Sequence, residues 1–161
     1  LNIVRTYTMT LLDNRLPPPV LLVVVGALMG AIAQLTSALD TTPLVHYGTT
    51  FVLAMLGFAV NAAGFRTIRR AGSTIDPTRP SATSALVVEG PFRATRNPMY
   101  VGFVLMLLAW AAFLRSPWAL TGPVFFVVYL TRFQIEPEER ALRAKFGNSF
   151  EDYAARVRRW L

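Results

Sequence analysis

Four apolar stretches constrain what this 161-residue chain can fold into more than anything else in it. They run from about residue 19 to 39, 45 to 65, 98 to 114 and 117 to 133. A helix crosses the hydrocarbon core of a bilayer with about 20 apolar residues, a length the first two stretches supply. The last two are shorter, and flanking arginines that snorkel to the interface make up the difference. A tight turn through Arg115, Ser116 and Pro117 folds the third and fourth into an antiparallel pair. The expected fold class is all-α: a polytopic membrane protein of about four transmembrane helices, the last two a helical hairpin. Short amphipathic cytoplasmic helices are expected at the C-terminus.

Lysine and arginine positions orient these spans. Two lie in the N-terminal arm, six between residues 66 and 97, and seven from Arg132 onward. Residues 40–44 hold none, and the turn after the third stretch holds only Arg115. Basic residues collect on the cytoplasmic side, so both termini and the long middle loop are expected there. The whole of 1–161 reads as a single integral membrane domain. Residues 1–65 form the arm and first two spans, and residues 66–161 hold the loop, the hairpin and the C-terminal helices. Met9 reads as a start site, with residues 1–8 as an upstream extension.

Composition narrows the chemistry. The chain is 53% hydrophobic and 16% charged, an unusual balance for a soluble domain. Its net charge of +7 is explained by the clustering of basic residues between apolar runs, so nucleic acid is not the expected partner. The bilayer is. Cysteine is absent, which excludes disulfides, thiolate metal sites and cysteine nucleophiles. His46 is the only histidine, so no metal site or histidine-dependent triad is expected. It reads as a satisfied histidine at the outer interface. Asn61, polar inside the second stretch, reads as an interhelical hydrogen bond. Gly26 and Gly30 form a GxxxG that serves either close packing within the monomer or a homodimer contact.

The third stretch opens on Glu89-Gly90-Pro91-Phe92-Arg93-Ala94-Thr95-Arg96-Asn97-Pro98-Met99-Tyr100-Val101-Gly102. Asn97 suits a helix N-cap and Pro98 the first turn, where a missing N–H costs nothing. Unpaired backbone N–H groups beside Arg93 and Arg96 make an anion-binding place at the membrane surface. After the fourth stretch, Pro137 among Glu136, Glu138 and Glu139 marks a helix start, because carboxylates favour the positive end of the dipole. Gly147 ends that helix. Ser149 opens another, with Asp152 completing an approximate capping box. There Phe150, Tyr153, Val157 and Trp160 share one face, and Arg156 and Arg159 fall elsewhere. That face suits the membrane surface or the protein's own cytoplasmic end.

A hairpin brings the three glutamates beside Arg93 and Arg96. The plainer alternative pairs Glu136 with Arg140 and Glu139 with Arg143 at i,i+4. Taken together, Gly90-Pro91-Phe92, Arg96-Asn97-Pro98-Met99-Tyr100-Val101-Gly102, Glu138-Glu139-Arg140-Ala141-Leu142, Phe146-Gly147, Phe150 and Tyr153 resemble the isoprenylcysteine carboxyl methyltransferase family and its phospholipid-methyltransferase relatives. The resemblance covers about residues 66–160. Asn97 replaces a histidine of the eukaryotic members and Phe150 a tyrosine.

The resemblance implies S-adenosylmethionine as methyl donor, with S-adenosylhomocysteine as product. It implies a cofactor site of Val87, Gly90, Pro91, Arg96, Asn97, Pro98, Tyr100, Gly102, Glu138 and Glu139. Arg96 and Glu139 are the catalytic residues it implies, with Arg93 and Arg132 toward the substrate. The acceptor is a lipidic or membrane-dissolved molecule. A carboxylate needs no general base, an amine could use a glutamate, and a thiol would gain from the arginines. With arginine at every basic position but Lys145, a bacterial cytoplasmic membrane is the expected location. Membrane sterol reductases resemble the C-terminal half too, which gives an NADPH-dependent reductase as the alternative. A non-enzymatic scaffold or transporter subunit is the other.

Overall fold

The computed structural model describes residues 16–72 and 85–161. The Met9 start and the extension before it lie outside the described residues, as do Arg5, Arg15 and Arg79 from the charge count. Among the described residues every regular element is a helix, and there is no strand.

Helix α1 spans Pro18–Gln34, with proline in its first turn. It stops about five residues before the apolar stretch does, because Thr36 offers the backbone a competing bond. Its hydroxyl donates to the Ile32 carbonyl at 3.1 Å and meets the Ser116 hydroxyl at 2.8 Å. The Leu39 N–H then donates to the Arg115 carbonyl at 2.7 Å. Residues after α1 therefore run across the end of the bundle, tied to the turn that follows the third helix.

Helix α2 spans Pro43–Arg70 and outruns its apolar stretch at both ends. Arg69 and Arg70 in its last turn complement the negative end of the dipole. Only Gly57 and Gly64 of its residues are buried, while Phe51, Met55 and Phe58 face outward. A helix that exposes such side chains along its length needs an apolar surrounding, and α2 is long and apolar enough to cross a membrane. Helices α1 and α3 (Pro98–Leu114) are shorter apolar helices of 17 residues each. That is about 25 Å of rise against roughly 30 Å of hydrocarbon.

Glycines set how closely α2 and α3 approach. A Cβ on Gly57 would stand 2.8 Å from the Gly102 carbonyl oxygen, and one on Gly102 would collide with the Asn61 amide. Asn61 donates to the Met99 carbonyl at 3.2 Å, the interhelical bond expected of it. His46 is satisfied as expected, its Nε2 lying 2.9 Å from the Phe113 carbonyl. The glycines of α1 are engaged within the monomer: the Trp110 indole donates to the Gly26 carbonyl at 2.9 Å, and its ring lies 3.9 Å from a Cβ placed on Gly30.

Arg115 turns the chain in the left-handed conformation, φ 53°, and a 3-10 turn at Pro117–Leu120 leads into α4, Thr121–Leu130. Gly122 lets α4 close on Met29 and Val25 of α1. Leu21, Val25, Met29, Leu107, Phe126, Leu130 and Ile135 make the core between these helices.

No new helix starts at Pro137, contrary to the sequence reading. The backbone continues through a π turn at Thr131–Ile135 into α5, Glu136–Phe146. Proline in a helix clashes with the carbonyl four residues back, and the wider π turn immediately before it relieves that clash. The Glu136 N–H reaches back five residues to the Thr131 carbonyl. Gly147 ends α5 at φ 51°, as expected. Helix α6, Asn148–Arg156, begins one residue before Ser149 and has no side-chain cap, so the Ser149–Asp152 capping box does not form. Phe150 and Tyr153 are buried against the protein's own body rather than presented outward.

Candidate active site

Because α3 and α4 run antiparallel, the start of α3 meets the start of α5. Arg96, one residue before the N-cap, places its guanidinium 3.0 Å from Glu139 Oε1. Arg159, from the segment after α6, holds both Glu139 oxygens, with Nε 3.0 Å from Oε1 and a terminal nitrogen 2.7 Å from Oε2. Glu139 is only 6% exposed, so the carboxylate is tolerable there because two guanidinium groups replace its water. The Glu139 hydrogen bond raises the pKa of Arg159 further.

Glu138 faces a different neighbourhood. Its Oε1 accepts from the Tyr100 hydroxyl at 2.7 Å and the Gln134 amide at 2.6 Å. Burial pushes its carboxyl up to about 7, against the pull of those two donors, and Glu139 pushes the same way. Two adjacent glutamates on one helix thus differ in kind: Glu139 is clamped between two guanidinium groups, and Glu138 sits among a phenol and an amide with its carboxyl pushed up to about 7.

Arg96 is fixed from several sides. Its N–H donates to the Arg158 carbonyl at 2.9 Å, and one terminal nitrogen to the Ala154 carbonyl at 3.3 Å. Its Nε is buried with no hydrogen-bond partner. A buried guanidinium nitrogen left without an acceptor costs free energy, which a ligand carboxylate would recover.

Asn97 occupies the N-cap position, but its side chain makes no cap bond. It donates instead to the Arg159 carbonyl at 2.9 Å, beside the Thr95 hydroxyl at 3.1 Å from the same oxygen. The Tyr153 hydroxyl donates to the Phe92 carbonyl at 2.7 Å, and burial pushes its pKa up to about 12 despite Arg96 nearby. Residues 92–97 and the C-terminal segment are thereby stitched together.

The other expected site residues divide. Gly90 adopts φ 55° and sits where a Cβ would lie 3.0 Å from the Thr67 hydroxyl, so the turn at Gly90–Arg93 needs glycine. Val87 and Pro91 are half-buried on the approach to it, and Arg93 is exposed at its end. Pro98 is buried under the start of α3. Arg132 is exposed and pairs with Glu136 at 3.3 Å. Gly102 has a packing role as well: it is the surface on which Gly57 and Asn61 of α2 close. Arg143 pairs with Glu151, not with Glu139.

Sequence reasoning missed Thr95, Gln134, Arg158 and Arg159. It carried the last helix through Trp160 and so set Arg159 apart from the face of Phe150, Tyr153, Val157 and Trp160. The helix ends at Arg156, Val157 is extended at φ −121° and ψ 130°, and Arg159 turns inward. The usable signal was charge: three arginines within 156–159 and three glutamates within 136–139. A cavity of about 330 Å³ between His46, Thr49, Leu108 and Arg115 lies at the other end of the bundle and takes no part in this cluster.

The described residues thus form an apolar helical bundle that gathers Arg96, Glu139 and Arg159 at one end. The chain belongs to the phospholipid methyltransferase family, whose sequence model matches residues 45–149. Protein-S-isoprenylcysteine O-methyltransferase B of Arabidopsis thaliana is 28% identical over 115 residues, 70% of this chain and 56% of that protein. A Delta(14)-sterol reductase of Mus musculus is 34% identical over 86 residues, half of this chain and 20% of that protein. An uncharacterized protein of Haemophilus influenzae is 41% identical over 63 residues, 39% of this chain and all of that protein. The chain thus spans about half of the methyltransferase and a fifth of the reductase. No solved structure matches.

Proposed function

We propose that this chain is an S-adenosylmethionine-dependent methyltransferase that acts at the cytoplasmic membrane face on a lipidic or membrane-dissolved acceptor. The observation that carries the reading is the pairing, at one point, of a buried Arg96 Nε without an acceptor and a carboxylate, Glu139, held on the same guanidinium. An α-amino acid group carries the complementary charges: its carboxylate suits Arg96 and its ammonium suits Glu139. S-adenosylmethionine has such a group, and when bound it supplies a methyl on a sulfonium for direct displacement.

The residues of the chain then bind and align. Fixing Arg96 through three elements and Glu139 through two arginines gives a rigid seat, and alignment is worth on the order of 7–11 kcal/mol in favourable displacements. A carboxylate acceptor, the class the family resemblance favours, needs no proton removed. An amine or thiol would find in Glu138 a carboxyl that takes up a proton near pH 7. Arg93 and Arg132, both exposed at this end, are placed to meet an acidic headgroup or acceptor.

In this reading the four apolar helical segments all cross the bilayer, with both termini and the charged cluster on the cytoplasmic side. The ties from Leu39 and Thr36 to the Arg115–Ser116 turn support it, because they hold two basic-poor loops at one end. The test is calorimetry of S-adenosylhomocysteine with the purified protein. Binding that is lost in Glu139→Ala and in Arg96→Ala is the expected result, and no binding to the unaltered protein would overturn the assignment.

The match to a sterol reductase favours a second reading, an NADPH-dependent membrane reductase. Tight NADPH binding with no response to S-adenosylhomocysteine would establish it in place of the first.

A further inference from the structure

The C-terminal segment after α6 lies outside the residues the family model matches, yet it is the most heavily bonded part of the site. Arg158 and Arg159 offer their carbonyls to the Arg96 N–H at 2.9 Å, the Thr95 hydroxyl at 3.1 Å and the Asn97 amide at 2.9 Å. The Trp160 indole donates to the Thr131 hydroxyl at 3.1 Å, on the π turn that leads into α5. The segment is a strap that ties the residues before α3 to the π turn before α5.

We propose that Arg159 is an internal stand-in for the cofactor's α-ammonium: its guanidinium occupies that seat on Glu139, so a ligand bringing its own cation there displaces it and releases the strap. The inference rests on the methyltransferase reading and names how that cofactor is admitted.

Three observations support an exchange rather than a permanent pair. First, one carboxylate, Glu139, serves both Arg96 and Arg159 while Arg96 keeps a buried Nε without an acceptor. A zwitterionic amino acid group satisfies both needs at once, its carboxylate on Arg96 and its ammonium on Glu139. Second, the two arginines differ in exposure, 14% for the Arg96 side chain and 32% for Arg159, so Arg159 regains water more readily when it leaves. Third, Arg159 has somewhere to go: Glu136 Oε1 already lies 3.8 Å from its other terminal nitrogen. Moving from Glu139 to Glu136 keeps the guanidinium paired and frees the Glu139 carboxylate.

The test compares S-adenosylhomocysteine with 5′-methylthioadenosine, an adenosyl thioether that lacks the amino acid group. Calorimetry on the full chain and on Arg159→Gln reads the exchange. S-adenosylhomocysteine should bind the variant about fivefold more tightly, the worth of one partly exposed ion pair no longer broken. Methylthioadenosine should bind both proteins equally. Weaker S-adenosylhomocysteine binding to the variant, or an equal change for both ligands, overturns the proposal.

Because the chain has no cysteine, Arg158→Cys in the otherwise unaltered protein can carry a nitroxide on the strap. Its spectrum should sharpen on addition of S-adenosylhomocysteine and not of methylthioadenosine. Binding of S-adenosylhomocysteine with an immobile strap would refute the exchange while leaving the methyltransferase reading intact. No binding of either ligand to the unaltered protein would overturn both.

Discussion

Glu138→Gln neutralises the one carboxyl in the cluster that burial holds near neutrality while keeping its shape. Glutamine retains a carbonyl oxygen, so the Tyr100 hydroxyl and the Gln134 amide keep their acceptor. Raising a carboxyl from 4.5 to about 7 means that its ionised form costs the folded state about 3 kcal/mol. The sign follows from linkage. The folded state binds this proton more tightly than the unfolded one, so the wild-type protein is favoured below 4.5 and loses that advantage as pH rises to about 7. Glutamine carries no such dependence. The variant should match the wild type at pH 4.5 and exceed it above pH 7 by up to about 3 kcal/mol, or roughly 6–12 °C for a domain of this size. Thermal unfolding of both proteins in one detergent at pH 5 and pH 8, at fixed ionic strength, measures the difference. A variant less stable than wild type at pH 8, or offset equally at both pH values, would show that Glu138 is ionised and well paired, and the argument would fail.

Three further outcomes follow from the geometry. Glu139→Ala leaves Arg96 and Arg159 facing each other without their shared carboxylate. It should cost about 3 kcal/mol of stability as well as S-adenosylhomocysteine binding, read by thermal shift beside calorimetry. Asn97→Asp has no cap bond to preserve and cannot donate to the Arg159 carbonyl, so it should lower stability by about 1–3 kcal/mol; an unchanged melting temperature would restore the capping role. Gly57→Leu drives a side chain into the Gly102 carbonyl and should cost at least about 1–3 kcal/mol, whereas Gly26→Ala, with nothing within 4 Å of the new Cβ, should be near neutral to the monomer. Equal melting temperatures for those two variants would refute the packing account.

Local sequence was enough for the helical class, the start of α3 at Pro98 and the Gly147 stop, and it favoured a hydrogen-bonded Asn61 and His46, whose partners only the fold supplied. These follow from local chemistry: apolar length, the fixed φ of proline, the freedom of glycine, and single polar groups that must find a partner in an apolar setting. Sequence also brought Arg96 toward Glu138 and Glu139, because a hairpin leaves few other arrangements. The tertiary structure alone decided which glutamate does what. Arg159 clamps Glu139, and Tyr100 with Gln134 surrounds Glu138, through contacts that join α3, the π turn and the last residues of the chain. Helical periodicity could not report this, since α6 ends at Arg156 and the residues beyond it follow no period. It also could not show that Gly102, a motif glycine by sequence, is where α2 closes on α3. The N-cap at Asn97 shows the same limit, because its position was local but the partner of its side chain came from 62 residues away.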